Sequence, residues 1–186
     1  MRATVRVLLG AIALGTIALA APAGAQTTTQ LGVGGGGSPH VKTDWPIGAA
    51  HVSISYGRPS LKGRAESAMM PVGKPWRTGA DEATVITTDR PLKFGTANLA
   101  PGSYTINTEP GANSWQLIFG KLSSPKQWGV PYKPALEIGR APMAVAQTSA
   151  PVEQVTYSID KSSDTGGTLR IEWGTTSASV PFTVGS

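Results

Sequence analysis

The sequence alternates apolar and polar residues with a period of two and contains no convincing helical period. In one segment Val52, Ile54 and Tyr56 alternate with Ser53 and Ser55, which places three apolar side chains on one face of a strand. Residues 92–94 indicate a short further strand, and six other segments repeat the alternation: 83–89, 104–106, 115–119, 155–159, 169–173 and 180–184. The pattern predicts an all-β fold, an antiparallel β-sandwich that is jelly-roll-like or a flattened barrel.

Turn sequences rich in Gly and Pro separate these strands. Residues 100–103 read Ala-Pro-Gly-Ser, where Pro fixes φ at the second position and Gly permits a positive φ at the third, as a type II turn requires. Residues 110–113 and 163–167 carry similar signals for two more hairpins. We expect one core, formed by Val52, Ile54, Tyr56, Ile106, Leu117, Phe119, Tyr157, Ile159, Ile171 and Phe182.

The first 25 residues predict a cleaved secretory signal peptide. Arg2 and Arg6 precede an apolar run, and Ala23 and Ala25 supply the small residues of a cleavage site between Ala25 and Gln26. The apolar run is shorter than the roughly 18–20 residues of a membrane-spanning helix, so no transmembrane segment is expected after cleavage. The prediction is a secreted or periplasmic protein of the bacterial envelope.

The rest of the chain predicts a short linker and one domain. Residues 26–38 are polar and Gly-rich, with four consecutive glycines, which is typical of a flexible linker. Residues 39–186 are then expected to form a single β-sandwich domain.

Composition excludes several classes of function. The chain has no cysteine and two histidines, so disulfides, thiol catalysis and a Cys or multi-His metal centre are excluded, and no metal or cofactor is predicted. Without Arg2 and Arg6 the 16 basic residues fall to 14 against 11 acidic ones, a net charge of +3. That charge is not clustered as nucleic-acid binding requires, so nucleic acid is not expected as a partner.

Residues 58–82 do not follow the strand pattern and form the candidate site. Irregular connections longer than about 12–15 residues are usually functional or disordered, and this one contains Met69, Met70 and Trp76, which a solvated loop has no reason to expose together. It also holds five basic residues. We predict one long ordered loop that displays a binding site.

A second irregular stretch, residues 121–150, contains Trp128 and is expected to cover a sheet edge, with a weak strand near Ile138.

The charged residues of the loop leave two interpretations open. Asp81 and Glu82 are adjacent, and adjacent strand residues point to opposite faces, so the two carboxylates are not expected to act as a pair. Arg58, Arg77 and Glu82 form either an internal ion-pair network or a site in which one guanidinium keeps a free face for an anionic ligand. The ligand-binding candidates are Arg58, Lys62, Arg64, Trp76, Arg77, Asp81, Glu82 and Trp128.

Several blocks of the sequence resemble a bacterial secreted family catalogued as domain of unknown function 2911. The most distinctive block reads Trp-Arg-Thr-Gly-Ala-Asp-Glu-Ala-Thr at residues 76–84, and the others are residues 55–60, 62–64, 72–75, 99–104, 115–121 and 127–129. The resemblance runs from about residue 38 to the end of the chain. It implies one extracytoplasmic domain in which the Arg58, Trp76, Arg77 and Glu82 positions are important, and it assigns them no roles.

Three classes of function compete. The favoured interpretation is an extracytoplasmic binding or interaction module whose partner is a small anionic or carbohydrate ligand or an envelope protein. The first alternative is a hydrolase on carbohydrate or peptide that uses Glu82 beside Arg77. The second is a purely structural domain, in which every polar group of the loop is satisfied internally.

Overall fold

The computed structural model describes residues 26–123 and 132–186, and within them the chain is almost entirely β-structure. The only α-helix of this part of the chain is α1, Glu66–Met69, and a 3-10 turn covers Pro134–Leu136. The strands are β1 Thr27–Val33, β2 Pro39–Ile47, β3 Ala50–Gly57, β4 Ala80–Thr88, β5 Leu92–Phe94, β6 Ala97–Leu99, β7 Gly102–Glu109, β8 Ser114–Lys121, β9 Glu137–Ser163 and β10 Gly166–Val184.

The strands form one open sheet in the order β1-β2-β3-β4-β7-β8-β9-β10-β5-β6, with every neighbouring pair antiparallel. The predicted all-β antiparallel fold is confirmed, and within the described residues the sheet is open and does not close into a barrel. The long strands β9 and β10 are interrupted by shifts of register around Gly174. Such bulges bend strands, and Tyr56 of β3 packs edge-on against Tyr157 of β9, with 4.7 Å between ring centroids. The two parts of the sheet therefore face each other across a shared core, as in a sandwich.

The core matches the residues that the alternation selected. Nine of the ten predicted core residues are buried, and Ile159 is partly buried against the same cluster. Trp115 and Trp173 continue the apolar register of their strands, and both are buried. The alternation predicts burial well because the buried face of a strand is set by local geometry.

Two predictions about irregular segments are corrected. Residues 27–33, within the expected flexible linker, form strand β1, which pairs with β2 through six pairs of residues from Thr27–Asp44 to Val33–Pro39. This edge strand is mostly exposed, so it carries no buried apolar face for a periodicity to reveal. Residues 121–150 were expected to cover an edge, with a weak strand near Ile138; the strand is confirmed, but residues 137–150 belong to β9, which lies between β8 and β10 inside the sheet.

The loop between β3 and β4 is ordered, as predicted, and is attached to the sheet at both ends. This segment, residues 58–79, is called the site loop below. Near its start, the amide of Leu61 donates to the carbonyl of Glu153 in β9 at 2.9 Å. Near its end, Trp76 and Thr108 of β7 exchange two backbone hydrogen bonds of 2.6 and 2.8 Å. The loop thus crosses one end of the fold between β9 and β7.

The middle of the site loop is held by Glu66 of helix α1. Its carboxylate accepts hydrogen bonds from the amide of Thr175 at 2.6 Å, the hydroxyl of Thr175 at 2.9 Å and the hydroxyl of Thr176 at 2.7 Å. Partial burial opposes ionisation of Glu66, but the hydrogen bonds outweigh it and hold the pKa of this carboxyl below its usual value. The ionised carboxylate therefore stabilises the folded state.

This shift predicts a loss of stability in acid. Because the folded-state pKa of Glu66 is lowered, its contribution is present above about pH 4.5 and is lost as the pH falls through the folded-state pKa. We expect the difference in unfolding free energy between wild type and Glu66→Gln to shrink by about 1 kcal/mol between pH 7 and pH 3, a value kept small by solvent screening. Urea unfolding at each pH measures it. Glu172→Gln is the control, since the Glu172 side chain forms no hydrogen bond within the described residues, and an equal pH response in both variants would contradict the assignment.

Some predictions fall on residues 1–25 and 124–131, outside the described part of the chain. They are the signal peptide and the role of Trp128. Within residues 26–123 and 132–186, no helix has the length and apolar character needed to span a bilayer.

Candidate functional site

An open cleft lies beneath the site loop and contains three of the predicted site residues, Arg64, Trp76 and Arg77. Its volume is about 560 Å³, within the range of small-molecule sites. Among the described residues no acidic side chain lines it. The lining residues are Gly36, Ser38, Pro59, Arg64, Met69, Pro71, Pro75, Trp76, Arg77, Gly79, Ala80, Tyr132 and Trp173.

Tryptophan rings form the apolar wall of the cleft. Trp76 stacks on Trp173, with 5.6 Å between ring centroids and 10° between ring planes. The edge of Trp76 also meets Trp115 at 6.3 Å in a T-shaped arrangement. Trp173 and Trp115 are buried, whereas Trp76 is half-buried and joins the core to the cleft. Trp76 therefore packs against the core and also presents a flat apolar surface to the cleft.

Arg77 supplies positive charge that no ion pair with a described residue neutralises. Its Nε donates to the carbonyl of Gly79 at 3.3 Å, and within the described residues its two terminal nitrogens have no hydrogen-bond or ion-pair partner. No fully buried side-chain nitrogen or oxygen of this part of the chain lacks a partner. The terminal nitrogens of Arg77 are consequently reached by solvent, and they are available to an anion.

Thr78 fixes the backbone that carries Arg77. This residue is buried and has a φ of 54°, a left-handed conformation that is unfavourable for a β-branched residue. Its hydroxyl contacts the hydroxyl of Thr108 at 2.8 Å and the carbonyl of Trp76 at 3.0 Å, and its own carbonyl accepts from Tyr157 at 3.0 Å. These bonds hold a strained conformation between Trp76 and Gly79. Strain of this kind is concentrated at functional sites.

Asp81 and Glu82 converge on one group, contrary to the prediction that they point to opposite faces. Asp81 Oδ2 lies 2.8 Å from Nε2 of His40, and Glu82 Oε2 lies 2.7 Å from Nδ1 of the same ring. Two features explain the difference. Asp81 has a φ of 62°, and the β3–β4 register shifts between Ser55 and Gly57, so the strict alternation of a strand does not apply.

The same geometry rules out the predicted charge cluster. Glu82 pairs with His40, and neither Arg58 nor Arg77 forms an ion pair with a described residue. Glu82 and His40 line a separate groove of about 750 Å³, which Arg77 does not reach. Glu82 and Arg77 therefore belong to different surfaces of the protein.

Two other predicted residues anchor the loop. Arg58 donates to the carbonyl of Val155 at 3.1 Å and to the hydroxyl of Thr156 at 3.0 Å, both in β9. The Lys62 amide donates to the carboxylate of Glu153 at 2.8 Å. Arg64, in contrast, lines the cleft and donates only to carbonyls of the loop itself, those of Leu61 and Ser60.

Sequence reasoning missed three contributors to this region: His40, Tyr132 and the cleft-facing side of Trp173. His40 lies in β2, a strand that the search for alternating segments did not pick out. Tyr132 follows a stretch without periodicity. Trp173 was placed in the core correctly, but stacking on Trp76 depends on a loop that is about 100 residues away in the chain. The described residues contain no group of three or more His, Cys, Asp or Glu side chains suited to a metal ion.

Comparison with known proteins gives the family of the chain. No match was found among curated proteins or among solved structures. A family model described as a protein of unknown function, DUF2911, matches residues 38–182, which is well over half of the 186 residues. The match covers β2 to β9, all but the last two residues of β10, and the whole cleft apart from Gly36, so the chain belongs to the DUF2911 family.

Proposed function

We propose that the protein is an extracytoplasmic binding module that holds a small anionic ligand in the cleft beneath the site loop. The observation that carries the proposal is Arg77, whose terminal nitrogens face solvent without a partner among the described residues. A guanidinium presents a planar fork of donors that matches carboxylate and phosphate groups. Location outside the cytoplasm remains part of the proposal and depends on the predicted signal peptide.

The surroundings of Arg77 favour an anion over other ligands. Arg64 adds a second positive charge, and no acidic side chain of the described residues lines the cleft to oppose them. Trp76 provides a flat apolar surface beside these charges. A ligand with an anionic group and a flat or apolar body would satisfy both features.

The two alternative functions receive less support. A purely structural loop should satisfy all of its polar groups internally, and Arg77 does not meet that condition. The hydrolase alternative requires Glu82 beside Arg77, but Glu82 is paired with His40 and lines a different groove. Both ring nitrogens of His40 also face carboxylates, which leaves neither free to serve as a base for a substrate.

The proposal predicts that Arg77→Met removes anion binding without unfolding the protein. Suitable probes are 2-naphthoate, 2-naphthyl phosphate and galacturonate, with 2-naphthamide and galactose as neutral counterparts, titrated by calorimetry and tryptophan fluorescence. We expect the best anion to lose about 10- to 100-fold in affinity, the value of a charged hydrogen bond. Stability should change by less than about 1 kcal/mol, because the Arg77 side chain makes one long hydrogen bond.

The matched control is Arg90→Met. Arg90 is exposed in the turn between β4 and β5 and lines none of the cavities described above. Arg90→Met removes the same charge as Arg77→Met, so any loss of affinity that the two variants share is due to long-range electrostatics. Equal binding to both variants, or no binding of any anionic probe to the wild type, would contradict the proposed function.

A further inference from the structure

A second, much smaller cavity shares Arg77 with the cleft as a lining residue. It is formed by β4, β7, β8 and the turn before β9, and Arg77 and Tyr132 line both spaces. Its polar lining includes Asn107 of β7, Lys121 of β8 and Lys133. The two spaces are therefore neighbours that share two side chains as a wall.

The small cavity has an excess of positive charge. Arg77, Lys121 and Lys133 line it, and Glu137 is its one acidic lining residue in the described part of the chain. The carboxylate of Glu137 already has partners. It lies 2.7 Å from Nε of Arg140 and accepts a hydrogen bond from the hydroxyl of Tyr132. Arg140 is shared with Glu109, which lies 2.9 Å from its Nη1, so Glu137 is only partly compensated; the lining still carries three cations against this one carboxylate.

An unused amide faces the same space. The Asn107 side chain lines the cavity and forms no hydrogen bond with any described residue. No fully buried side-chain polar atom of the described residues lacks a partner, so this amide is reached by solvent. Its NH₂ group can donate to an oxygen placed there.

The size of the cavity selects among anions. About 30 Å³ of free space corresponds to about two water-sized groups, because one such group occupies roughly 10–15 Å³ by this measure. The two oxygens of a carboxylate fit that space. A sugar ring does not, and a phosphate brings additional oxygens that need more room.

We propose that this cavity is the subsite for a carboxylate whose aromatic or apolar body lies against Trp76 in the cleft. The inference rests on the proposed function and narrows its ligand to an amphipathic monocarboxylate. Arg77 holds one side of the carboxylate at the boundary of the two spaces, and Asn107 donates from within. Lys121 and Lys133 supply the surrounding field.

The test uses Asn107→Asp, which keeps the shape of the side chain and places a negative charge in the cavity. We expect 2-naphthoate to lose at least about tenfold in affinity, because a donor is replaced by a like charge. The matched control is Asn113→Asp in the exposed turn between β7 and β8, which makes the same chemical change away from the cavity. In the wild type, 2-naphthoate should bind more tightly than 2-naphthyl phosphate and galacturonate. Circular dichroism and urea unfolding confirm that each variant is folded.

The outcomes separate this inference from the proposed function. If 2-naphthoate binding is lost in Arg77→Met but is unchanged in Asn107→Asp, the cleft binds anions and the carboxylate subsite is wrong. Tighter binding of 2-naphthyl phosphate or galacturonate than of 2-naphthoate also overturns the subsite. If no anion depends on Arg77, the proposed function itself fails. If Asn107→Asp does not fold, Asn107→Leu replaces it, and retention of wild-type affinity in that variant counts against the subsite.

Discussion

Replacement of Trp173 by Ala is expected to lower the unfolding free energy by about 3–5 kcal/mol, a large part of the roughly 5–15 kcal/mol that stabilises a domain. Trp173 is 2% exposed, lies in β10 and stacks on Trp76. Its Nε1 also donates to the carbonyl of Glu153 at 3.0 Å. The substitution removes the buried ring, takes away one of the two donors to that carbonyl, which keeps the amide of Leu61, and removes the support of Trp76. Urea unfolding followed by circular dichroism measures the loss.

The matched variant Trp173→Phe separates packing from the hydrogen bond. Phe keeps an aromatic ring against Trp76 but has no N–H donor, so we expect a smaller loss of about 1–2 kcal/mol. Binding of the anionic probes should weaken in Trp173→Ala more than in Trp173→Phe, because only the former frees Trp76 from its stacked position. A loss below about 1.5 kcal/mol in Trp173→Ala would show that this ring is not a main support of the core.

Gly174→Ala is expected to cost about 3 kcal/mol and to detach the centre of the site loop. Gly174 has a φ of 61°, and a Cβ at this position would lie 2.1 Å from the Glu66 carboxylate. A left-handed conformation costs a non-Gly residue about 1–2 kcal/mol. The remainder comes from displacement of Glu66, which would lose its bonds to Thr175 and Thr176. Proteolysis within the loop should become faster as helix α1 leaves the sheet.

Gly95→Ala provides a matched control for that prediction. Gly95 has a φ of 57°, and a Cβ there would meet nothing within 4 Å. Its cost should therefore be the backbone strain alone, about 1 kcal/mol, with no effect on the loop. Equal losses of stability in the two variants would show that the contact with Glu66 does not hold the site loop in place.

The architecture of the core could be predicted from the sequence because it follows from local geometry. A strand turns each successive side chain to the opposite face, so the alternation of Val52, Ile54 and Tyr56 with serines identifies the buried face without knowledge of any partner. The same reasoning placed Trp115 and Trp173 in the core. The exposed edge strand β1 has no such face, carried no comparable signal and was read as a linker.

The long loop was also recognisable as an ordered element with Arg64, Trp76 and Arg77 among its candidates. Its attachment was not recognisable, since it depends on contacts between distant parts of the chain. Arg58 binds a carbonyl that lies 97 residues further on, and Glu66 binds an amide that lies 109 residues further on. No local pattern reports such pairs.

By itself, the sequence determined an antiparallel all-β chain, its core residues and a basic, Trp-containing loop, because these depend on residue type and on the period of a strand. The tertiary structure alone decided which charges meet. The left-handed backbone at Asp81 turned two adjacent carboxylates onto His40, and so kept Glu82 away from Arg77. The terminal donors of Arg77, beside Trp76, have no partner within residues 26–123 and 132–186. Backbone conformation and strand register are set by the packing of the whole sheet. That packing decides which charged side chains lie close together and which face solvent.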